Sequence, residues 1–387
     1  MAGARVVRVA ANGVNTVGPA PLKTPPFPSA YTSPLAPNAK LQKALNDAIA
    51  RVPTPPGWDA PYAIAALDPP AGPFPVAGFK PDDEKYGASM IKLVALYAAF
   101  ELRKTVRAIA AELGPKATPS DLLDQAKAHL DPRVIAYAAR SAGLKGVANG
   151  EAVSQLKATF KTTAASPAVS VDFTDAYKKH QSGMISVSDN NDAGACIHGG
   201  GYGMINGICE NAGFFQPSTQ NGLWLAGDFS HQYHSFKIPT ASTGGVNFGP
   251  AAQAATVMQL VKLLALMFQG ALVDSGSSTE MLTRLTESVH QGETFMTRAS
   301  YFYGGGTPPW TVENTKLGIG PRGPGSGGPT VYSESCILAH TASGKRFAVS
   351  WLDFTLSNLD PPSAPDEKEF QRVVDVTLRT MTDFLKP

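Results

Sequence analysis

Strand-like segments occur at both ends of this chain, and the region between them is mostly helical in pattern. Near the start, the short apolar runs 62–67 and 74–79 are bounded by proline or glycine. Near the end, a strand at 310–316 precedes the runs 331–340 and 345–354, whose short polar connection indicates a hairpin. We therefore predict an α/β (α+β) fold with an antiparallel sheet built from both chain ends, flanked by helices and carrying an inserted all-α lobe.

The remaining segments follow from proline content and helical periodicity. Prolines dominate 19–37, which predicts an extended arm lying on or off the body. Helices are predicted at 38–52, 88–113, 119–129, 132–142, 151–162, 250–272, 279–290 and 366–385. We expect residues 1–58 to form a proline-rich extension with one short helix and residues 59–387 to form one domain. Its α/β lobe would comprise about 59–88 and 306–387, and its helical lobe about 89–305.

Composition excludes several classes of protein. The chain has 387 residues, of which 43% are hydrophobic, so it can bury a sizeable core. Its formal net charge of +2 supplies no basic surface for nucleic acid. The longest apolar stretch, 263–273, is about half the length needed to cross a bilayer, so no membrane span is expected. The sequence carries no signal for an oligomeric state.

The cysteines and the N-terminus leave the compartment open. Cys196, Cys209 and Cys336 lack the paired spacing of a zinc site. Cys196 and Cys209 either pair in an exported protein or are buried free thiols. Asn12 and Asn15 stand where a secretory leader would continue an apolar run, so we expect no intact signal peptide. The protein would be periplasmic or secreted if a leader was removed, and cytoplasmic otherwise.

A serine and a lysine three residues apart form the strongest local motif. Ser89 and Lys92 fall on one face at the start of a predicted helix, where free N–H groups favour developing negative charge. A neutral lysine there could activate the serine. The alternative is a capping serine and a surface lysine. The same spacing recurs at Ser154 and Lys157, where only an amphipathic helix is indicated.

Two further motifs follow in order along the chain. Ser188-Asp189-Asn190 is predicted in a tight loop, and its alternative reading is an Asx-type turn. Lys316-Leu317-Gly318 lies on the strand that opens the C-terminal sheet. Another K-x-G, at 85–87, stands before Ser89 and cannot complete the order. The ordered set S-x-x-K, S-x-N and K-x-G is far more specific than any one member.

This arrangement resembles the serine β-lactamase and penicillin-binding protein superfamily, especially class A β-lactamases, whose SxxK, SDN and KTG elements take this order. The resemblance spans most of the chain from 62 to 385. It implies that Ser89 is the acylated nucleophile and that Lys92 removes its proton, with a pKa lowered by the nearby Lys316.

The resemblance also assigns roles around this pair. Ser188 would relay the proton to the leaving nitrogen. Asn190 would hold the substrate amide, and Gly318 would complete the substrate-binding strand. The backbone N–H groups of Ser89 and Ile319 would form the oxyanion hole.

Two departures from the family pattern change the expected substrates. Leu317 replaces the usual threonine or serine, so a hydroxyl for a substrate carboxylate is missing, and Arg322 is the nearest alternative cation. No ExxLN motif follows the S-D-N motif. Glu210 and Asp228 are the acidic residues closest to the region where that motif would stand, and we interpret both as ordinary surface carboxylates. We therefore expect acylation without efficient β-lactam hydrolysis.

Other chemistry is poorly supported. His231 and His234 lack a third metal ligand, and the near-miss glycine pattern 199–203 predicts a flexible active-site loop instead of a dinucleotide site. No cofactor and no metal are expected.

The sequence thus predicts a serine acyl hydrolase that cleaves amide or ester bonds of a small-molecule or peptide substrate. The alternatives are a D,D-peptidase-like or esterase enzyme, a penicillin-binding or sensor protein that acylates without turnover, and a non-catalytic relative.

Overall fold

The computed structural model describes residues 7–9, 15–17, 21–51, 60–68, 72–139, 152–219, 221–227, 253–298, 309–321, 330–355 and 364–387. Its α-helices are α1 Ala39–Arg51, α2 Lys92–Leu113, α3 Pro119–Ala139, α4 Leu156–Thr159, α5 Asp175–Ser186, α6 Asn190–Gly200, α7 Tyr202–Asn211, α8 Val257–Phe268, α9 Ser275–His290 and α10 Ala364–Leu385. Short 3-10 helices lie at Ala88–Ile91 and Met296–Arg298.

The strands are β1 Val7–Val9, β2 Asn15–Val17, β3 Leu35–Pro37, β4 Tyr62–Ala66, β5 Phe74–Phe79, β6 Lys85–Tyr86, β7 Phe160–Thr163, β8 Ser170–Phe173, β9 Phe215–Gln216, β10 Asn221–Gly222, β11 Trp224–Leu225, β12 Gln253–Ala255, β13 Trp310–Pro321, β14 Thr330–His340 and β15 Arg346–Thr355.

The main sheet joins the two ends of the chain. Its strand order is β13-β14-β15-β4-β5-β3, so three C-terminal strands continue into three N-terminal strands. The neighbouring strands are antiparallel except for β3 and β5, which are parallel. The predicted mixed fold, with a sheet from both ends and a helix-rich insertion, is confirmed.

Alternation along the strands divides the core between the two faces of the sheet. In β4, Ile64 belongs to a cluster with α1 and α10, whereas Ala63 and Ala65 belong to the larger cluster with α2 and α8. Successive side chains of a strand point to opposite faces, which produces this division. Because helices cover both faces, β4 is buried throughout, and this explains its continuous apolar run.

The proline-rich arm lies on the body of the molecule. The backbone N–H groups of Lys23 and Thr24 donate to the Glu112 carboxylate at 2.7 and 3.0 Å. Further along, Tyr31 N donates to Ala212 O at 3.1 Å. The arm then enters the main sheet as β3, and α1 packs against α10.

Three predicted helical segments are wrong in detail. Within the predicted helix 250–272, residues 253–255 form β12, and the helix α8 begins only at Val257. The break expected before Pro132 does not occur, because α3 continues through this residue. Leu130 and Val134 are buried on either side, and their packing holds the helix together although the proline removes one hydrogen bond. The predicted helix 151–162 is instead the short α4 followed by β7, which pairs with β8.

Among the described residues, no helix is both long enough and apolar enough to cross a membrane. The three cysteines are free and buried, so the buried-thiol alternative is correct for Cys196 and Cys209.

Candidate active site

Ser89 lies in the 3-10 turn that leads into α2. Met90 N donates to Gly87 O at 2.9 Å and closes this turn. Ala88 has a φ of +44°, a left-handed conformation that is uncommon for a residue with a side chain. Ser89 is buried, with 8% of its surface exposed, and its hydroxyl forms no hydrogen bond with the other described residues. The serine therefore stands at the N-terminal end of a 22-residue helix with its oxygen uncommitted.

Lys92 is directed from the first residue of α2 into the loop between α5 and α6. Its Nζ donates to Ser188 O at 2.6 Å and to Asn190 Oδ1 at 2.8 Å. Longer contacts join Nζ to Ser188 Oγ at 3.3 Å and to Asp189 O at 3.4 Å. The lysine is thus held one helical turn from Ser89 by the S-D-N motif.

The S-D-N motif joins α5 to α6 in a fixed conformation. Ser188 has a φ of +57°. Asp189 caps α6 by accepting a hydrogen bond from Asp192 N at 2.8 Å, and its own N–H donates to Gly183 O at 3.0 Å. The predicted loop is therefore the cap of a helix, and this cap sets the direction of the Ser188 and Asn190 side chains.

Lys316 contacts Ser188 from the side of the main sheet. Its Nζ donates to Ser188 Oγ at 2.8 Å and to Leu317 O at 2.9 Å, and its side chain is fully buried. β13 is an edge strand, so one side of its backbone is available to the Ser89 turn. The structure thus brings Lys92, Ser188 and Lys316 into one hydrogen-bonded group.

Gly318 permits this close approach of strand and turn. A Cβ atom at this position would lie 2.7 Å from Gly87 O and 3.0 Å from Met90 N. Any side chain would push β13 away from the residues on either side of Ser89. The K-x-G motif therefore needs its glycine for a steric reason.

Burial changes the protonation of both lysines. Burial lowers the pKa of Lys92 to about 7, although Asp189, Glu293 and Asp192 act in the opposite direction. Burial also lowers the pKa of Lys316 well below its usual value, and the Lys92 ammonium lowers it further. The sequence interpretation assigned the lowered pKa of Lys92 to repulsion from Lys316, whereas burial is the leading cause.

Such a group can move a proton. Near neutral pH, a lysine with a pKa of about 7 is in part a neutral amine that can accept a proton. The Ser188 hydroxyl lies within reach of both Nζ atoms and so connects them. Because the lysines donate to its oxygen, its own proton can point toward a bound molecule.

The two residues that flank Gly318 differ from each other. Leu317 is on the opposite face of β13 from Lys316, and only 6% of it is exposed, because it packs in the cluster with α1 and α10. Its side chain is therefore part of the core and is not available to a substrate. Ile319 lies opposite Tyr332 in the sheet register and is 44% exposed.

Other sequence candidates lie elsewhere or have structural roles. Glu210 accepts a hydrogen bond from Tyr137 Oη at 2.7 Å where α7 meets α3. In the repeated S-x-x-K motif, Ser154 donates to Gly200 O at 2.6 Å, and Lys157 pairs with Asp124 on the surface.

Among the described residues, no three His, Cys, Asp or Glu side chains are grouped as a metal site requires. His231, His234, Asp228 and Arg322 lie outside the described residues.

The glycine-rich segment 199–203 is not a loop, so that prediction is wrong. It ends α6 and begins α7, with Gly201 at a φ of +79° between them. A Cβ on Gly201 would lie 2.5 Å from Val153 O, and one on Gly203 would lie 2.7 Å from Ala152 O. These glycines serve close packing, which a linear motif does not reveal.

Sequence reasoning missed Glu293. This residue follows α9, and its charge acts on both Lys92 and Lys316. No motif surrounds it, and it reaches the lysines only because the end of α9 packs beside β13. A sequence pattern contains no signal for such a contact.

Solved structures similar to this chain include β-lactamases. One from Chitinophaga pinensis is 12% identical, has a TM-score of 0.49, and matches 88% of this chain and 98% of its own. A class A β-lactamase from Bacteroides cellulosilyticus is 13% identical, with a TM-score of 0.47 and coverage of 91% and 99%. PBP-A is 14% identical, with a TM-score of 0.47 and coverage of 93% and 100%.

No protein-family model and no curated protein matches the chain. The likeness to the solved structures concerns the overall fold, and it says nothing about reaction or substrate.

Proposed function

We propose that this chain is a serine acyl hydrolase that cleaves amide or ester bonds through an acyl-enzyme at Ser89. The observation that carries this proposal is the hydrogen-bonded group of Lys92, Ser188 and Lys316 beside the Ser89 turn. The chemistry of this group supports the proposal. Lys92 is buried and has a pKa of about 7, and the Ser188 hydroxyl connects it to the second buried lysine, so the group is suited to proton transfer near neutral pH.

In the proposed reaction, each of these groups has one role. Neutral Lys92 takes the Ser89 proton while Oγ attacks the acyl carbonyl, and negative charge develops on the carbonyl oxygen. The N–H groups of Ser89 and Ile319 stabilise that charge. The leaving nitrogen or oxygen then departs with a proton from Ser188, which Lys92 or Lys316 replaces. Asn190 orients the substrate amide, and water hydrolyses the acyl-enzyme.

A second candidate is a penicillin-binding or sensor protein that acylates and stays acylated. It is favoured by the placement of Glu210, which is hydrogen-bonded to Tyr137 at the contact between α3 and α7. A carboxylate held in this way is poorly suited to activate water on the acyl-enzyme. D,D-peptides and simple esters are the alternative substrates of an enzyme that does turn over.

A time course of intact mass tests the proposal and separates the two candidates. The protein is incubated with benzylpenicillin, a D-alanyl-D-alanine peptide or a short acyl ester. We expect an acyl adduct that is lost in Ser89→Ala and kept in the matched control Ser154→Ala. Decay of the adduct with product release supports the hydrolase, and a persistent adduct supports the sensor. An adduct that survives in Ser89→Ala would contradict both.

A further inference from the structure

A carboxyl group is fully buried on the far side of the sheet from the two lysines. Glu334 is on β14 and has no exposed surface. In the sheet register it lies opposite Leu317, so its side chain is on the face of the sheet that packs against α1 and α10. Among the described residues, no lysine, arginine or histidine forms a salt bridge with it. A carboxyl group in such a place must be stabilised by hydrogen bonds.

Four hydrogen bonds hold the Glu334 carboxyl group. Its Oε1 accepts from Thr294 Oγ1 at 2.6 Å and from Thr315 Oγ1 at 2.7 Å. Its Oε2 accepts from Phe295 N at 3.1 Å and from Met296 N at 3.2 Å. A carboxylate is an acceptor at both oxygens, and here each oxygen faces two donors. The arrangement therefore fits the anionic form of Glu334.

These hydrogen bonds reach the two segments that carry charge beside the candidate active site. Thr315 immediately precedes Lys316 on β13, and Thr294 immediately follows Glu293. The Glu334 carboxyl group thus joins the strand that carries Lys316 to the segment that carries Glu293. Strand alternation leaves the Lys316 side chain on the opposite face of the sheet, so Glu334 acts on it across one strand.

The acidic groups around the two lysines are distributed unevenly. Two aspartates at the N-terminal end of α6 act on Lys92, Glu334 acts on Lys316, and Glu293 acts on both. Glu334 alone among these four carboxyl groups is fully buried, so water screens its charge least. The titratable groups that face the lysines and Glu334 are Asp189 and Asp192 on α6, Glu293 after α9, and Glu334 and the Cys336 thiol on β14.

We propose that Glu334 is a positioning residue that biases the proton shared by the two lysines toward Lys316 and so leaves Lys92 free to act as the base. The inference rests on the proposed function, because the lysines are its proton carriers. Burial lowers the pKa of Lys316, and the Lys92 ammonium lowers it further, whereas Glu293 and Glu334 raise it. A charged Lys316 in turn repels a proton on Lys92, which keeps Lys92 neutral.

The ionisation of Glu334 can be measured in the parent protein. Burial raises the pKa of Glu334, and its four hydrogen bonds lower it. With carbon-13 at the glutamate carboxyl groups, NMR distinguishes a carboxylate from a carboxylic acid, and loss of one resonance in Glu334→Asp or Glu334→Gln assigns it. We expect a carboxylate at about pH 7. A protonated Glu334 at this pH overturns the inference, whether or not a variant folds.

Glu334→Gln keeps the shape of the side chain and removes its charge. The amide oxygen can accept from both N–H groups, and the amide nitrogen can donate to both hydroxyls. Followed by NMR of carbon-13 at Cε, we expect the Lys316 midpoint to fall by about half a pH unit. The Lys92 midpoint should rise by about 0.3 pH units, because a less charged Lys316 repels its proton less. Ser89 labelling by a short fluorophosphonate should shift to higher pH with it.

Two further variants separate the charge from the packing. Glu313→Gln is the matched control, because it also removes one negative charge from this sheet, but from a partly exposed carboxylate paired with Arg346. We expect it to move each lysine midpoint by less than about 0.1 pH units. Glu334→Asp keeps the charge and shortens the side chain, so both lysine midpoints should lie closer to the parent values than in Glu334→Gln.

The results separate this inference from the function on which it rests. Lysine midpoints that stay unchanged in Glu334→Gln, or that both fall together, overturn the inference while Ser89 labelling still supports the hydrolase. Opposite shifts of the two lysines in a protein whose Ser89 is never labelled would show that Glu334 sets their protonation and that the proposed function is wrong.

Discussion

Ser188 is the residue at which the two buried lysines meet, and its backbone is held in an unusual conformation. Its hydroxyl oxygen lies 3.3 Å from Lys92 Nζ and 2.8 Å from Lys316 Nζ. Two adjacent ammonium groups in a buried site repel each other, so near neutral pH the pair favours losing one proton. The sequence motifs predicted these three residues and Ser89, but the acidic neighbour Glu293 came only from the three-dimensional packing.

The acylation rate should follow the protonation of this pair. We expect the second-order rate of Ser89 labelling by a short fluorophosphonate to rise with pH, with a midpoint near the Lys92 pKa of about 7. The rate rises because only the neutral amine accepts the serine proton. A stopped assay of intact mass at several pH values measures it. A rate that is flat between about pH 5.5 and 8.5 would contradict this role for Lys92.

The same lowered pKa predicts a pH dependence of stability. Burial lowers the pKa of Lys92 from 10.5 to about 7, so between these values the unfolded chain binds more protons than the folded protein. The free energy of unfolding therefore increases with pH in this window. We expect it to rise by about 1 to 2 kcal/mol more in the parent than in Lys92→Met between about pH 7 and 9. Urea unfolding measures both proteins, and parallel pH curves would refute the prediction.

At the scale of elements, the site depends on how closely β13 approaches the turn before α2. The sequence predicted the strand and the helix because each has a clear periodicity. It did not predict that β13 continues to Pro321 beside that turn, since the approach depends on Gly318 meeting Met90 and Gly87 across the molecule. The failed predictions at 151–162 and 199–203 have the same cause, because non-local packing decides those conformations.

Gly318→Ala tests the approach of strand and turn. The new Cβ would lie 2.7 Å from Gly87 O, so we expect β13 to shift and Ser89 labelling to slow by about 100-fold. Gly276→Ala is the matched control, because its Cβ has only an ordinary 3.5 Å contact with Asp274 Oδ1. Equal labelling rates in the two variants would show that the close approach is not needed for acylation.

In the molecule as a whole, the N-terminal arm connects separate segments of the helical lobe through hydrogen bonds. Tyr31 Oη donates to Glu101 on α2 and accepts a hydrogen bond from Val273 N at 2.8 Å. The proline content predicted an extended arm but not where it lies. Its position depends on buried polar partners, such as Glu101, that no local pattern reveals. The sheet built from both chain ends was predictable because its strands are short apolar runs bounded by turn residues.

Tyr31→Phe tests whether the hydrogen bonds of the Tyr31 hydroxyl stabilise the protein. Loss of the hydroxyl leaves the Glu101 carboxyl and the Val273 N–H without this partner, so we expect unfolding to require about 1 to 3 kcal/mol less free energy. Ser33→Ala in the same arm should change stability by less than about 0.5 kcal/mol, because its hydroxyl accepts only an exposed local hydrogen bond from Leu35 N. Urea denaturation measures both variants. Equal free energies of unfolding for the parent and Tyr31→Phe would refute this stabilising role of the Tyr31 hydroxyl.

Mapping a covalent fluorophosphonate adduct by peptide mass spectrometry shows which serine is the nucleophile. We expect one adduct, on Ser89, that is abolished in Ser89→Ala and in Lys92→Ala and unchanged in Ser154→Ala. Because the two residues act as one unit, the double variant should be about as inactive as either single variant. An adduct on Ser154 or any other serine, or labelling that persists in Ser89→Ala, would show that Ser89 is not the nucleophile.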